Sequence, residues 1–552
     1  MPTQIDHGSS PRNAVLVTAG FAALFLLLRS QQYMAVDGAV RCLSVFYHPD
    51  QHLHGNNHML YPFWVWLWAR GWTVIGMPAT DWLAYIRQSQ ALNAIAAATA
   101  IGLLFSVLES VAGTGIALLG ALQFGLSTAV MLHATNSAEP VMGLLFSMAA
   151  LRVLFSALRS GSQAGLLLVG LFLALALASY QAMALIAPAV GFACVCWPGA
   201  AGDTRTRLAL SRLALVGIGG LVSVAAIYGL AYSALGVPIG KMLARFLQLD
   251  GDAAVYGGVG ISKLINAPFG LIRNLYGGVP LDYGGIRSLA GHPDRAFWIP
   301  YAVVSFILLA IFAWLVGAGI ASGVRRWEAP KSWVWSGILI SVSAVAFPLV
   351  FWGSTYDKLW LLPLALFTLA GAFAFRFGGF SPSRRRGFVI GLGVLVMAEA
   401  AMNLPHAIRD HIRETAHLSE ARDLAALATA QDSMVMDFDD VGILWLSIWG
   451  DSADHLVLPA VKRRDAIEWL ARADQNDARR HGKLLLVGVL DQDEKSWDAF
   501  VGRATGIGFA EFDCYRREAK IVRRYPFPDR PLTVRQLDAG VQCSSSLGTA
   551  GR

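Results

Sequence analysis

Apolar runs long enough to cross a lipid bilayer recur through the first 404 residues, and this recurrence constrains the fold more than any other feature. A spanning helix needs roughly 20 apolar residues, somewhat fewer where its flanks are amphipathic. Eleven segments qualify: Ala14–Leu28, Gln90–Leu108, Ala112–Leu132, Val141–Leu158, Ala164–Ser179, Ala182–Trp197, Leu208–Leu235, Trp298–Ile320, Trp333–Trp352, Leu359–Phe375 and Phe388–Leu404. A twelfth, Met59–Met77, holds Pro62, Arg70 and four tryptophans (Trp64, Trp66, Trp68, Trp72), a mixture that suits an interfacial helix better than a lipid-exposed one. With 55% hydrophobic and only 15% charged residues, the chain does not fit a soluble class, a disordered one or a disulfide-stapled scaffold.

Charge divides the chain in two. The last 148 residues, from Pro405, hold 43 of the 81 charged side chains, about 29% of that stretch against about 9% before it. Their 20 basic and 23 acidic residues nearly cancel, so the net charge of +7 comes from the apolar part. Basic excess between spans reads as cytoplasmic loop anchoring, not as a nucleic-acid surface. With an inner N-terminus and eleven spans, Arg159, Arg205, Arg207, Arg325, Arg326, Lys331 and Arg384 to Arg386 all fall on the inner side. The expected fold class is an α-helical polytopic membrane protein, residues 1–404 with outer loops 29–89 and 237–297, followed by a soluble extracytoplasmic domain at 405–552. Ala14–Leu28 reads as a retained first span.

In the tail, helix-like runs (Ser419–Ala430, Asp465–Ala473) alternate with strand-like ones (Ser433–Asp437, His455–Leu458, Lys483–Leu490, Ile521–Tyr525), which predicts an α/β domain. Cys514 and Cys543 lie in it and suit a disulfide if the tail is outside the cytoplasm, or two unpaired thiols. Cys194 and Cys196 sit in an apolar run and read as packing residues.

The spans are nearly free of ionisable groups. Arg152 and Glu399 are the main exceptions, each expected near a helix end. That scarcity counts against an ion-coupled transporter. Polar residues gather at the outer face instead. Asp37 follows the first span closely, where a carboxylate can take a proton from a hydroxyl or hold a cation; on residue type alone it reads first as an N-cap for Gly38–Phe46. His48, His52, His54 and His58, with Asp50, match no defined metal spacing and read first as solvated loop residues. Glu139 precedes Pro140 at the start of the next span, so a functional carboxylate competes with a simple helix-dipole role. Lys358, ahead of Leu359–Phe375, suits an anionic head group or an ordinary snorkelling position. The glycine-rich segment Val237–Phe297 reads as an irregular loop with a few short helices over a cavity.

Taken in order, these features resemble the GT-C superfamily of polytopic glycosyltransferases, family 39-like, in particular its protein O-mannosyltransferase and bacterial aminoarabinose transferase branch. The resemblance rests on Asp37 in the first outer loop, the His58-Met59-Leu60-Tyr61-Pro62 element, and the run Arg87-Gln-Ser-Gln-Ala-Leu-Asn93 entering the second span. Glu139 ahead of Pro-Val-Met-Gly, and Asp357-Lys358-Leu-Trp-Leu-Leu-Pro363, complete it. It covers roughly Ala14–Leu404, and order carries it more than identity.

The resemblance implies transfer of a sugar from a polyprenyl-phosphate donor to an acceptor hydroxyl on the outer face of a bacterial inner membrane, the acceptor being a cell-envelope glycan, lipid or protein. It implies Asp37 as the inverting general base, Glu139 as a second catalytic acid position, and Lys358, Arg41, His58 and Tyr61 as substrate-binding groups. The family's paired acidic residues are not repeated here, since Gly38 follows Asp37, so a divalent metal is compatible but not indicated and no metal ligand is assigned. Competing readings from other classes are a flippase of lipid-linked intermediates and a non-catalytic membrane scaffold. A polar path through the spans would mark the first, and the lack of an outer cavity the second.

Overall fold

The structure is a computed structural model describing residues 10–31, 36–47, 53, 59–197, 203–246, 261–277, 295–325, 357–377 and 380–414 and, with short gaps, 416–544. Two compact units emerge, Met1–Arg413 and Glu414–Arg552.

The first unit is helical. Its elements are α1 (Pro11–Leu27), α2 (Val36–Tyr47), α3 (Tyr61–Val74), α4 (Trp82–Ala112), α5 (Thr114–Gly125), α6 (Thr128–Thr135), α7 (Pro140–Ser160), α8 (Gln163–Ser179), α9 (Ile186–Cys196), α10 (Asp203–Ala234), α11 (Ile239–Phe246), α12 (Ile261–Leu275), α13 (Arg295–Arg325), α14 (Leu361–Phe377) and α15 (Pro382–Ile412). Among the described residues, α4, α7, Thr206–Ala234 and the helix that begins at Pro382 are each long and apolar enough to cross a membrane. The bent pair α5–α6 makes a fifth, and Pro11–Leu27, Gln163–Ser179, Gln181–Val195, Trp298–Ile311 and Leu361–Arg376 are shorter apolar helices. The count of eleven stays an expectation, and Trp333–Trp352 lies outside the described residues.

Two expected spans are not simple rods. Ala112–Leu132 is broken by 65° between α5 and α6. No proline breaks it; a distant side chain holds it open. Asn403 of α15 donates its amide to Leu126 O at the break and to Leu275 O at the end of α12, both at 2.7 Å, while its oxygen accepts from Thr128 Oγ1 and Gly277 N. All four bonds of the amide are made, which makes this buried polar group stabilising. Ala182–Trp197 starts as a 3-10 turn, Gln181–Leu185, and becomes α9 only at Ile186.

Helix α3 covers the tryptophan-rich segment. Its 14 residues reach about 21 Å, short of a bilayer's hydrocarbon core. Trp64 Nε1 donates to Ser179 Oγ and Trp68 Nε1 to Gln88 O, so both indoles tie α3 onto neighbouring helices.

Glu399 was expected near a helix end, yet it lies mid-way along α15, fully buried, accepting from Gln123 Nε2; the Gln123 oxygen in turn accepts from Thr368 Oγ1 at 2.9 Å. A carboxyl group survives inside an apolar bundle only when neighbours supply such bonds. Near the end of α4, Glu109 accepts from Ser10 N, Asn13 Nδ2 and Thr114 Oγ1, each at 2.9 Å, which binds the start of α1 to the α4–α5 corner. The start of α1 and the end of α4 therefore share one face. Ser30, Thr135 and the end of α15 share the other, through Ser30 N to Thr135 O, Gln31 N to Asp410 O and His411 Nδ1 to Arg29 O.

The second unit carries a five-stranded sheet in the order β2-β1-β3-β5-β4, from β1 (Ser433–Met436), β2 (Asp454–Val457), β3 (Leu484–Val487), β4 (Lys520–Tyr525) and β5 (Leu532–Leu537). β1 runs parallel to β2 and β3, while β5 pairs antiparallel with β3 and β4. The β1 and β3 residues are buried throughout, the mark of central strands covered on both faces. Ala416–Leu427, Asp440–Trp449 and Arg463–Arg480 are its longer helices, and Trp469, Trp497, Phe512 and Tyr515 fill its core. Cys514 and Cys543 form a disulfide, which decides between the two sequence readings. Strand β5 has no counterpart among the sequence-based expectations.

Candidate functional site

The site grows from the start of α7. Pro140 occupies its first turn, where the missing N–H costs nothing. Glu139 stands at the cap position, yet its side chain makes no capping bond. It lies instead 3.6 Å from Lys358 Nζ, with Glu139 2% exposed and the lysine side chain 18% exposed. A pairing role thus takes precedence over the helix-dipole reading. Lys358 is presented by a 3-10 turn, Asp357–Leu359, just ahead of α14. A lysine tied to a buried carboxylate is held at a fixed point, as recognition of an anionic group demands.

The acidic turn is clamped from α4. Asn93, fully buried, donates to Asn136 O at 2.8 Å and to Ala138 O at 2.9 Å, gripping the chain on both sides of Ser137. One turn earlier on the same face, Ser89 Oγ lies 3.2 Å from the Tyr61 hydroxyl. Gln90 Nε2 donates to Ser30 O, adding the end of α1. Burial drives the Tyr61 phenol well above its ordinary pKa, with the Cys42 thiol and the Glu139 carboxylate adding to the effect. Burial likewise pushes the Cys42 thiol up to about 12, against hydrogen bonds to Ser89 and Ser137 that pull it down. Neither group ionises near neutral pH, so Tyr61 acts as a neutral hydrogen-bonding group.

Helix α2 closes the cluster. A Cβ built on Gly38 would run into Ser137 O and stand 2.7 Å from Ser137 C and 2.9 Å from Ala138 Cα. Only glycine lets the first turn of α2 lie directly on the backbone that leads to Glu139. The helix begins at Val36, so Asp37 is inside its first turn and not at an N-cap position, and its backbone is held beside the acidic turn. The Asp37 side chain lies outside the described residues.

Of the sequence-derived candidates, Glu139, Lys358 and Tyr61 meet in one place, and the Asp37 backbone adjoins them. Arg41 sits half-buried one turn after Asp37 on α2. His58, and with it His48, Asp50, His52 and His54, lies outside the described residues. Among the described residues no three His, Cys, Asp or Glu side chains converge on one point. Sequence reasoning gave no role to Ser89 and Asn93, although their spacing of four residues at the polar start of α4 was a visible sign of one shared face.

No protein-family model matches the chain, and no curated protein sequence matches it. Solved structures do. ArnT from Cupriavidus metallidurans in the apo state aligns over 97% of this chain and 98% of its own, with a TM-score of 0.55 at 10% identity. The same protein bound to undecaprenyl phosphate aligns over 96% and 98%, at 0.50 and 11%. The apo oligosaccharyltransferase of Archaeoglobus fulgidus aligns over 94% of this chain and 74% of its own, at 0.53 and 10%. At such identities the likeness is one of fold, and it extends through both units. The chain has a fold of the kind seen in the GT-C glycosyltransferases.

Proposed function

We propose that this protein is a membrane glycosyltransferase that moves a sugar from a polyprenyl-phosphate donor to a hydroxyl of a cell-envelope acceptor, at the membrane face bearing Glu139 and Lys358. The observation that carries this reading is the convergence of three positions far apart in sequence. The Asp37 turn rests on Ser137 through Gly38, and Glu139 pairs with Lys358 across more than two hundred residues. Undecaprenyl phosphate bound to a protein of this fold supports the donor class.

The roles follow from chemistry. Asp37 takes the proton of the acceptor hydroxyl as its oxygen attacks the anomeric carbon. The bond from that carbon to the phosphate oxygen breaks with inversion, and polyprenyl phosphate leaves. Lys358 offsets the negative charge that builds on the leaving phosphate, with Arg41 and His58 as further cationic candidates. Glu139 holds Lys358 in place and, through Asn93, shares its turn with the floor beneath Asp37. Tyr61 supplies a neutral hydrogen bond. We place the protein in a bacterial inner membrane with its second unit on the outer side, where the Cys514–Cys543 disulfide suits an oxidising compartment.

Purified protein in nanodiscs, offered a panel of radiolabelled polyprenyl-phosphate sugars with envelope extract as acceptor, tests the reading. Label passing from lipid to extract is expected for at least one donor. Folded protein that transfers from none would reject it.

A further inference from the structure

Over the second half of α7, about 20 to 30 Å along the helix from Glu139, a groove of about 470 Å³ opens between α7 and α8. Arg152, Val153, Ser156, Ala157 and Ser160 of α7 line one wall, and Ser162 and Gly165 at the start of α8 line the other. Residues 152, 156 and 160 are four apart, so arginine and two serines form one polar stripe along the second half of a largely apolar helix. No carboxylate is among these lining residues.

Arg152 was expected close to a helix end, but it lies eight residues, about 12 Å, inside α7. Its Nε donates to Ser106 Oγ of α4 at 2.8 Å, and Ser106 is buried, so the guanidinium plane is fixed at the groove wall. Ser162 accepts from Gly165 N as the cap of α8, which puts the positive end of a 17-residue helix on the same groove. Further along α8 than Gly165, Leu167, Leu168 and Leu171 are exposed apolar residues. Guanidinium, hydroxyls and a helix N-terminus select a phosphate, while the depth of Arg152 and the apolar flank select one carried on acyl chains.

We infer that this groove binds the phosphate of an anionic glycerophospholipid in the leaflet opposite the candidate active site. Arg152 pairs with the phosphodiester, Ser156 and Ser160 line the approach from the surface, and the acyl chains run along the exposed face of α8. Such a lipid would fill a polar stripe that hydrocarbon solvates badly, and would fasten α7, whose other end carries Glu139.

Native mass spectrometry after exchange into mixed phosphatidylglycerol and phosphatidylcholine tests this. Wild-type protein is expected to keep phosphatidylglycerol in preference, and Arg152→Gln to lose that preference by about five- to tenfold, as loss of one interfacial cation implies. Ser156→Leu, which fills the groove from an exposed position, should lower it similarly while leaving Arg152 in place. Arg159→Gln, exposed at the helix end, should change it less than twofold. Equal retention of the two lipids by wild type, or unchanged preference in a folded Arg152→Gln and in Ser156→Leu, would overturn the inference. Displacement of the lipid by millimolar inorganic phosphate would overturn the choice of a lipid as the ligand.

Discussion

Gly38→Ala isolates the contact on which the site depends. The added methyl group would stand 2.7 Å from Ser137 C and 2.9 Å from Ala138 Cα, and closer still to Ser137 O, where ordinary contact begins near 3.4 Å. All three atoms are backbone, and Asn93 pins that backbone on both sides. The first turn of α2 must therefore retreat by roughly 1 Å, carrying Asp37 away from the Glu139 turn. A misplacement of that size costs about 10²-fold in rate. Overpacking of this kind costs about 1–3 kcal/mol in stability, so the protein should still fold. The assay is kcat/KM for sugar transfer, with melting temperature measured in parallel. Gly20→Ala in α1, where an added Cβ meets nothing within 4 Å, is the control and should transfer at the wild-type rate. A Gly38→Ala protein with wild-type kcat/KM would refute the idea that α2 and the acidic turn work as one unit.

Other perturbations separate structure from chemistry. Lys358→Met leaves the buried Glu139 carboxylate without its cation and should cost about 3 kcal/mol. Adding Glu139→Gln should restore most of the melting temperature but none of the transfer, so recovery of both would contradict the donor-phosphate role. Asn93→Ala removes the donor to two buried carbonyls, worth about 1–3 kcal/mol for each left unsatisfied, and should lower kcat more than it raises donor KM. In the second unit, the Arg463 guanidinium bonded to Glu511 holds that carboxyl below its ordinary range. A lowered folded-state pKa contributes stability above about pH 4.3 that is lost as the pH falls through it. Glu511→Gln should thus flatten the acid limb of stability read by hydrogen exchange. Asp474, pushed up by burial, works in the opposite sense, so its own neutralisation should not add to that limb. Reducing Cys514–Cys543, 29 residues apart, should destabilise the second unit by about 3–4 kcal/mol on loop-closure grounds, measurable as a shift in its melting transition.

What the sequence made legible follows the reach of its signals. Apolar runs and the break in charge density are local, and they gave the helical part and the α/β tail. Strand β5 (Leu532–Leu537) escaped because Thr533, Arg535 and Gln536 interrupt its apolar pattern; its pairing with β3 is a long-range event. The bend between α5 and α6 was invisible because Asn403, nearly three hundred residues away, holds it open. In the same way, Glu139 and Lys358 each stood out as a polar group at a helix start, but nothing in either segment shows that they meet. Asn93 and Ser89 carried a readable spacing, and only the fold reveals that they clamp the acidic turn and face Tyr61. Arg152 stands out in the sequence as one of two ionisable exceptions in the spans, and only the fold lines it up with Ser156 and Ser160 on one groove.

The most direct test of the account is the rate at which polyprenyl phosphate is released from the accepted donor by wild type, Asp37→Asn and Glu139→Gln, in nanodiscs at saturating acceptor. Asp37→Asn should fold normally, bind donor with little change in KM, and release product at least about 10²-fold more slowly, as loss of a general base requires. Glu139→Gln should weaken donor binding through Lys358. Release at the wild-type rate by folded Asp37→Asn would contradict the central claim and remove Asp37 from the chemistry.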